Sequence, residues 1–176
     1  MGGFEPCQDR KVAALRMSVY VRWFFLGERV MEEDIKFMRL AYKEAIKALR
    51  KDEVPIGAIV VYKGKVIAKG YNQRESKQVV TAHAETIAIE KACRKLNTWR
   101  LDECTLYTTL EPCIMCSGVI VQCRIKSIVF GALTNKCMGL TSIIKHKELN
   151  YKPFIQGGIL EEECSKLISN YFKDKR

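Results

Sequence analysis

From residue 32 onward the apolar positions change period several times, and each change predicts an element. Ile35, Met38, Ala41, Ala45 and Leu49 recur at steps of three and four, the spacing of one helix face. Asp52-Glu53-Val54-Pro55 should end that helix, because the residue before a proline is pushed out of the helical region. Ile56–Tyr62 and Val66–Tyr71 are β-rich runs flanking the turn Lys63-Gly64-Lys65, which predicts a hairpin. Residues 72–80 are polar and read as a loop. A second helix is expected from Thr81 or Ala82 to Leu96, with His83 in its first turn. Thr105–Thr109 predicts a third strand, and Pro112 suits the first position of the next helix. Ile125–Phe130 predicts a fourth strand ending at Gly131, and Phe154-Ile155 a short one before Gly157-Gly158. Residues 134–150 have no dominant period. Ile159–Lys173 predicts a last helix, with Glu161, Glu162 and Glu163 near its start and Lys173, Lys175 and Arg176 at or beyond its end, as the helix dipole favours. This order predicts an α/β sandwich with helices on both faces of one sheet.

Composition narrows the class. The chain has 176 residues and is 48% hydrophobic, enough for one domain with a core and too apolar for a disordered chain. The net charge is +10, of which +2 lies on residues 1–30 and +8 on residues 31–176. The basic excess therefore belongs to the folded part, and a polyanion such as nucleic acid fits it; plain solubility is the alternative. Residues 1–30 differ in pattern from the rest. They are expected to be a poorly ordered extension, or to reflect a start assigned too far upstream, with the domain covering 31–176. The cluster Trp23-Phe24-Phe25 is the part of the extension suited to packing. The apolar run Val19–Leu26 is interrupted by Arg22, meets Glu28-Arg29 and lacks a small-residue cleavage site, so it reads as neither signal peptide nor membrane span. A cytoplasmic location follows as the expectation, with the eight cysteines reduced and those outside any metal site acting as small core residues.

Two segments carry the candidate chemistry. Thr81-Ala82-His83-Ala84-Glu85 reads H-x-E, and Glu111-Pro112-Cys113-Ile114-Met115-Cys116 reads P-C-x-x-C, with 27 residues between Glu85 and Cys113. One imidazole and two thiolates supply three ligands to a tetrahedral zinc and leave a fourth position for water, the arrangement of a catalytic site. Cys113 and Cys116 share a helix face and sit near a helix N-terminus, which favours the thiolate. Glu85 is not needed as a ligand and is free to take a proton from water and deliver it to a ring nitrogen and then to a departing amine. Residues i and i+2 point apart on an ideal helix, so spacing alone does not turn Glu85 toward His83. His146, the other histidine, lies in the solvated Lys145-His146-Lys147. Other uses of C-x-x-C stay open. A redox pair leaves the H-x-E element unexplained, and a structural zinc needs a fourth ligand from Cys104, Cys123 or Cys137.

H-x-E followed by P-C-x-x-C is the signature of zinc-dependent base deaminases. From Glu32 to the C-terminus the chain resembles the bacterial tRNA-specific adenosine deaminases. The resemblance runs through Val54-Pro55-Ile56-Gly57-Ala58, Gly70-Tyr71-Asn72, both metal-site segments, Arg124-Ile125, Val129-Phe130-Gly131-Ala132 and Gly158-Ile159-Leu160. It implies a three-layer α/β/α sandwich of the cytidine deaminase-like type, with a mixed sheet of about five strands. It implies conversion of the wobble adenosine of tRNA to inosine, one zinc per subunit on His83, Cys113 and Cys116, and Glu85 as proton shuttle. Asn72 and the amide of Ala84 would contact the base. Lys136, Tyr171, Phe172 and Lys173 would contact the anticodon stem-loop, and the protein would be a homodimer with no membrane association. One stretch departs from the family pattern: after Ala132, Thr134 stands where an acid is usual, and Met138 and Leu140 are bulkier than the family's small residues. Two further readings are carried with the first. One is a deaminase of a free base, nucleoside or nucleotide of guanine or cytosine type, and the other a non-catalytic zinc-stabilised RNA-binding module.

Overall fold

The computed structural model describes residues 31–134 and 138–175, of which 35–175 belong to one compact unit. The expectations for residues 1–30 and for Lys136 fall outside the described residues.

The first helix, α1, covers residues 31–49. Its buried stripe is Phe37, Met38, Ala41, Ala45 and Ala48. Leu49, expected on that stripe, is 37% exposed. The stripe is built mainly from alanine, which lets the helix backbone come close to the sheet. Gly57 is where it comes closest: a Cβ there would collide with the backbone of Ala41 and Ala45.

Two strands form the expected hairpin, β1 at Gly57–Tyr62 and β2 at Lys65–Tyr71. Lys63 and Gly64 have φ of 48° and 70°, the positive pair that a tight hairpin turn requires. Three more strands complete the sheet: β3 at Cys104–Leu110, β4 at Ser127–Ala132 and β5 at Phe154–Gln156. The order is β2-β1-β3-β4-β5. β1 is antiparallel to both β2 and β3, while β3–β4 and β4–β5 are parallel. The sheet is therefore mixed, as expected.

Side chains alternate between the faces with the strand period of two. Ala58, Val60, Leu106 and Ile128 pack with Ala84, Ala88 and Ala92 of α3 (Ala84–Leu96) and Ile120 of α4 (Ile114–Gln122). Ile59, Val61, Tyr107 and Val129 pack with Phe37, Met38 and Ala41 of α1. The last helix, α6 at Glu161–Lys173, joins α1 on that side, where the sulfur of Cys164 fills the space beside Gly131. The three-layer α/β/α sandwich is thus the observed fold.

Several boundaries differ from expectation. The segment 72–80 contains a one-turn helix, α2, at Arg74–Lys77. Helix α3 starts at Ala84, after an extended His83, rather than at Thr81 or Ala82. Pro112 lies outside α4, whose cap is Cys113. The stretch without a dominant period contains α5 at Leu140–Ile143. Strand β4 runs past Gly131 to Ala132, because Ala132 still pairs with Leu110.

Candidate active site

The two metal-site segments meet at the N-termini of α3 and α4. His83 caps α3 with φ −78° and ψ 156°, and Cys113 caps α4 with φ −69° and ψ 173°. Neither side chain caps its own helix; the two turn toward each other. His83 Nδ1 lies 3.7 Å from Cys113 Sγ and 3.5 Å from Cys116 Sγ. The three potential ligand atoms all lie within 4.8 Å of one another. Cys116 is fully buried, while His83 and Cys113 are half-buried, so one side of the cluster stays open. Among the described residues no fourth cysteine, histidine or carboxylate joins the group.

Local hydrogen bonds hold both caps. Thr86 Oγ1 donates to the His83 carbonyl at 2.9 Å and also to that of Thr81. Ser117 Oγ donates to the Cys113 carbonyl at 2.8 Å. A hydroxyl in the first helical turn thus fixes the chain just before each helix. Gly70 places α3 itself, because a Cβ there would strike the carbonyl of Ala84.

Glu85 is 3% exposed, and its Oε2 has no hydrogen-bond partner among the described residues. The extended backbone of His83 removes the helical i, i+2 constraint, so Glu85 can stand beside the cluster. Burial is the main reason its carboxyl is pushed up to about 7; the nearby His83 charge opposes this. Hydrogen bonds from Cys116 and His83 draw the Cys113 thiol down to about 3. The contact with Cys113, together with burial, raises Cys116, and the contact with Cys113 raises His83 against the effect of burial. An imidazole and two thiols grouped in this way release protons when they bind a metal ion. One imidazole, two thiols, an open side and a buried carboxyl with one unpartnered oxygen fit a catalytic zinc.

The remaining expected residues lie around this cluster and on α6. Asn72, at the end of β2, is 5% exposed, and its Nδ2 donates to Glu53 Oε2 at 3.3 Å. The next amide, Gln73 N–H, donates to the Ala82 carbonyl at 3.0 Å, which joins this turn to the chain leading into His83. Ala84 is buried at the first position of α3, where a backbone N–H has no intrahelical acceptor. Tyr171 and Phe172 stack edge to face at 5.4 Å. The Tyr171 hydroxyl donates to the Asp52 carbonyl at 3.0 Å, so it serves to fasten α6 to the end of α1. Phe172 and Lys173 line a cavity of about 540 Å³ together with Leu133, Thr134 and Ile168. His146 is exposed, as expected.

Sequence reasoning missed two buried carboxylates. Glu53 accepts the amides of Glu75 and Ser76 at 3.1 and 2.7 Å, in addition to Asn72. Glu111 accepts the amide of Thr141 at 2.8 Å, its hydroxyl at 2.6 Å and the amide of Thr134 at 3.2 Å. The available signal was an acid one or two places ahead of a proline, at Glu53-Val54-Pro55 and Glu111-Pro112.

An α/β/α sandwich whose two facing helix ends carry this His-Cys-Cys cluster and buried glutamate is a deaminase of the cytidine deaminase-like class. Residues 32–173 match the family model of the MafB19-like deaminases. The chain is 45% identical over 149 residues to the tRNA-specific adenosine deaminase of Bacillus subtilis (strain 168), covering 83% of this chain and 92% of that one. It is 46% identical over 143 residues to the tRNA-specific adenosine deaminase of Aquifex aeolicus (strain VF5), covering 80% and 94%. A solved structure from studies of A-to-I editing by tRNA:A34 deaminases at the wobble position of transfer RNA superposes with a TM-score of 0.72. That match has 38% identity and covers 75% of this chain and 98% of that one. The chain belongs to the tRNA-specific adenosine deaminase family.

Proposed function

We propose that this protein hydrolyses the wobble adenosine of a tRNA anticodon to inosine, with one zinc per subunit. The observation that carries the reading is the buried Glu85, its Oε2 without a hydrogen-bond partner, beside the convergent His83, Cys113 and Cys116. His83 Nδ1 and the two sulfurs would hold the zinc, and zinc when bound acidifies water to supply a nucleophile near neutral pH. Glu85 accepts the water proton, passes a proton to the ring nitrogen and then protonates the departing amine. The C–N bond to the exocyclic amine breaks, a C–O bond forms at the same carbon, and ammonia leaves. A carboxyl near 7 suits this work, since it gains and loses a proton at little cost at physiological pH.

Asn72 and the free amide of Ala84 orient the base. Phe172 and Lys173, with Tyr171 bracing them, meet the anticodon stem-loop, and Lys136 is assigned to the same surface. An anticodon loop suits the site because its bases can be splayed into a pocket without opening a duplex. The +8 charge of residues 31–176 supports an RNA partner. A homodimer in the cytoplasm completes the reading. Among the described residues no helix is long and apolar enough to cross a membrane. Residues 31–176 form the deaminase domain, so removing residues 1–30 should leave activity intact.

The test is incubation of the purified protein with an anticodon stem-loop carrying adenosine at the wobble position, followed by sequencing for inosine. Conversion is expected. No conversion, with turnover of free guanine or cytidine, would assign the same site to a free base or nucleoside.

A further inference from the structure

Glu53 is fully buried, yet it lies on neither helix end of the metal cluster and takes no part in the proton transfers above. Its contacts are specific. Oε1 accepts the Ser76 amide at 2.7 Å, and Oε2 accepts the Glu75 amide at 3.1 Å and Asn72 Nδ2 at 3.3 Å. The two backbone amides are first-turn donors of α2, a helix whose own cap residue, Gln73, makes no capping bond. Asn72 is therefore held from one side by a group already fixed by backbone.

The chemistry of the contact decides the orientation of the amide. An ionised carboxylate can only accept, whereas a side-chain amide has one accepting and one donating end. Asn72 must present Nδ2 to Glu53, which turns Oδ1 and the second Nδ2–H elsewhere. Among the described residues no donor reaches Oδ1. We infer that Glu53 is a positioning residue that locks the amide of Asn72 in the orientation that reads the substrate base. The inference rests on Asn72 being a substrate contact. A glutamine at 53 would remove the lock, because its amide can face either end of Asn72.

A double-mutant cycle tests this. Steady-state deamination of the wobble-adenosine stem-loop is measured for the wild type, Glu53→Gln, Asn72→Ala and the double variant, with zinc content and melting temperature as controls. Glu53→Gln is expected to lower kcat/KM about tenfold, the effect of losing one charge-assisted hydrogen bond. In the Asn72→Ala background the same change should have no further effect, since Glu53 acts through Asn72. A loss that persists in that background would show a merely structural role and overturn the inference. The Asn72 side-chain amide, followed by 15N NMR, separates the two ways of failing. If Glu53→Gln leaves that signal unmoved, the locking contact is wrong. If the signal moves and kcat/KM does not, Asn72 is not a substrate contact. Should Glu53→Gln not fold, Glu53→Asp keeps the charge but withdraws it, and the same non-additivity is expected.

Discussion

The Glu111 carboxylate occupies the space that a side chain at Gly139 would need. Gly139 also pairs as an isolated bridge with Cys113, so it lies against one of the metal ligands and against the residue two positions before that ligand. Gly139→Ala should therefore displace Glu111 from Thr134 and Thr141. The expected result is a loss of about 1–3 kcal/mol in stability, the usual effect of stranding a buried polar group. Urea unfolding checks it: the midpoint should fall with the slope unchanged, and an unaltered midpoint would mean that Glu111 is free to move aside.

Glu85→Ala should keep the metal and lose the reaction. The carboxyl is not among the three clustered ligand atoms, so zinc measured by elemental analysis should stay near one per chain. The initial rate should fall by about 10²-fold or more, the scale of general acid–base catalysis. Wild-type turnover by the variant would refute the assignment of the proton shuttle.

Thiol chemistry should separate the cysteines. In metal-stripped protein Cys113, lowered to about 3 by its neighbours, is a half-exposed thiolate and should react first with iodoacetamide. Burial pushes Cys104 up to about 11 and Cys123 and Cys164 up to about 12, so these stay unlabelled in the native state. Loading with zinc should protect Cys113. Peptide mass spectrometry reads all four positions, and equal labelling with and without zinc would remove Cys113 from the ligand set.

The acid limb of stability should depend on Glu53. Burial by itself would raise its pKa, but the amide hydrogen bonds from Ser76 and Glu75 outweigh that and hold it below the ordinary glutamate range. A carboxyl lowered by folding stabilises the native state above its unfolded pKa. That contribution is lost as pH falls through the folded value. Stability plotted from neutral pH into acid should fall less steeply for Glu53→Gln than for the wild type. Parallel curves would show that Glu53 does not titrate with folding.

Much of the fold is legible in the sequence because its signals are local. Lys63-Gly64 forces a hairpin whatever surrounds it, and the alternation Ala58-Ile59-Val60-Val61 marks a strand with two buried faces. The metal cluster is legible because few residues can ligate zinc and only two histidines are available. The features that escape depend on distant partners. Helix α2 is held by Glu53, 21 to 24 residues earlier, and its sequence Arg-Glu-Ser-Lys has no apolar periodicity to betray it. Helix α5 is held by Glu111, which accepts the amide of Thr141 within it. The start of α3 lies two or three residues later than its pattern suggests, because Thr81-Ala82 is as helix-compatible as Ala84-Glu85-Thr86. The hydroxyl of Thr86, not any property of Thr81 or Ala82, turns the chain there. Spacing alone puts Leu49 in the core, but the small alanines draw α1 close enough for Ala48 to take that place.

Gly70 lies under the first residue of α3, whereas both cysteines ride on α4. The two halves of the metal centre therefore answer to different spacers, and one of those spacers is a single missing methyl group. Any residue larger than glycine at position 70 would lift the imidazole relative to the sulfurs without altering a ligand. Affinity for a metal ion across a Gly70 series thus becomes a gauge of helix-to-sheet distance, graduated in fractions of an ångström.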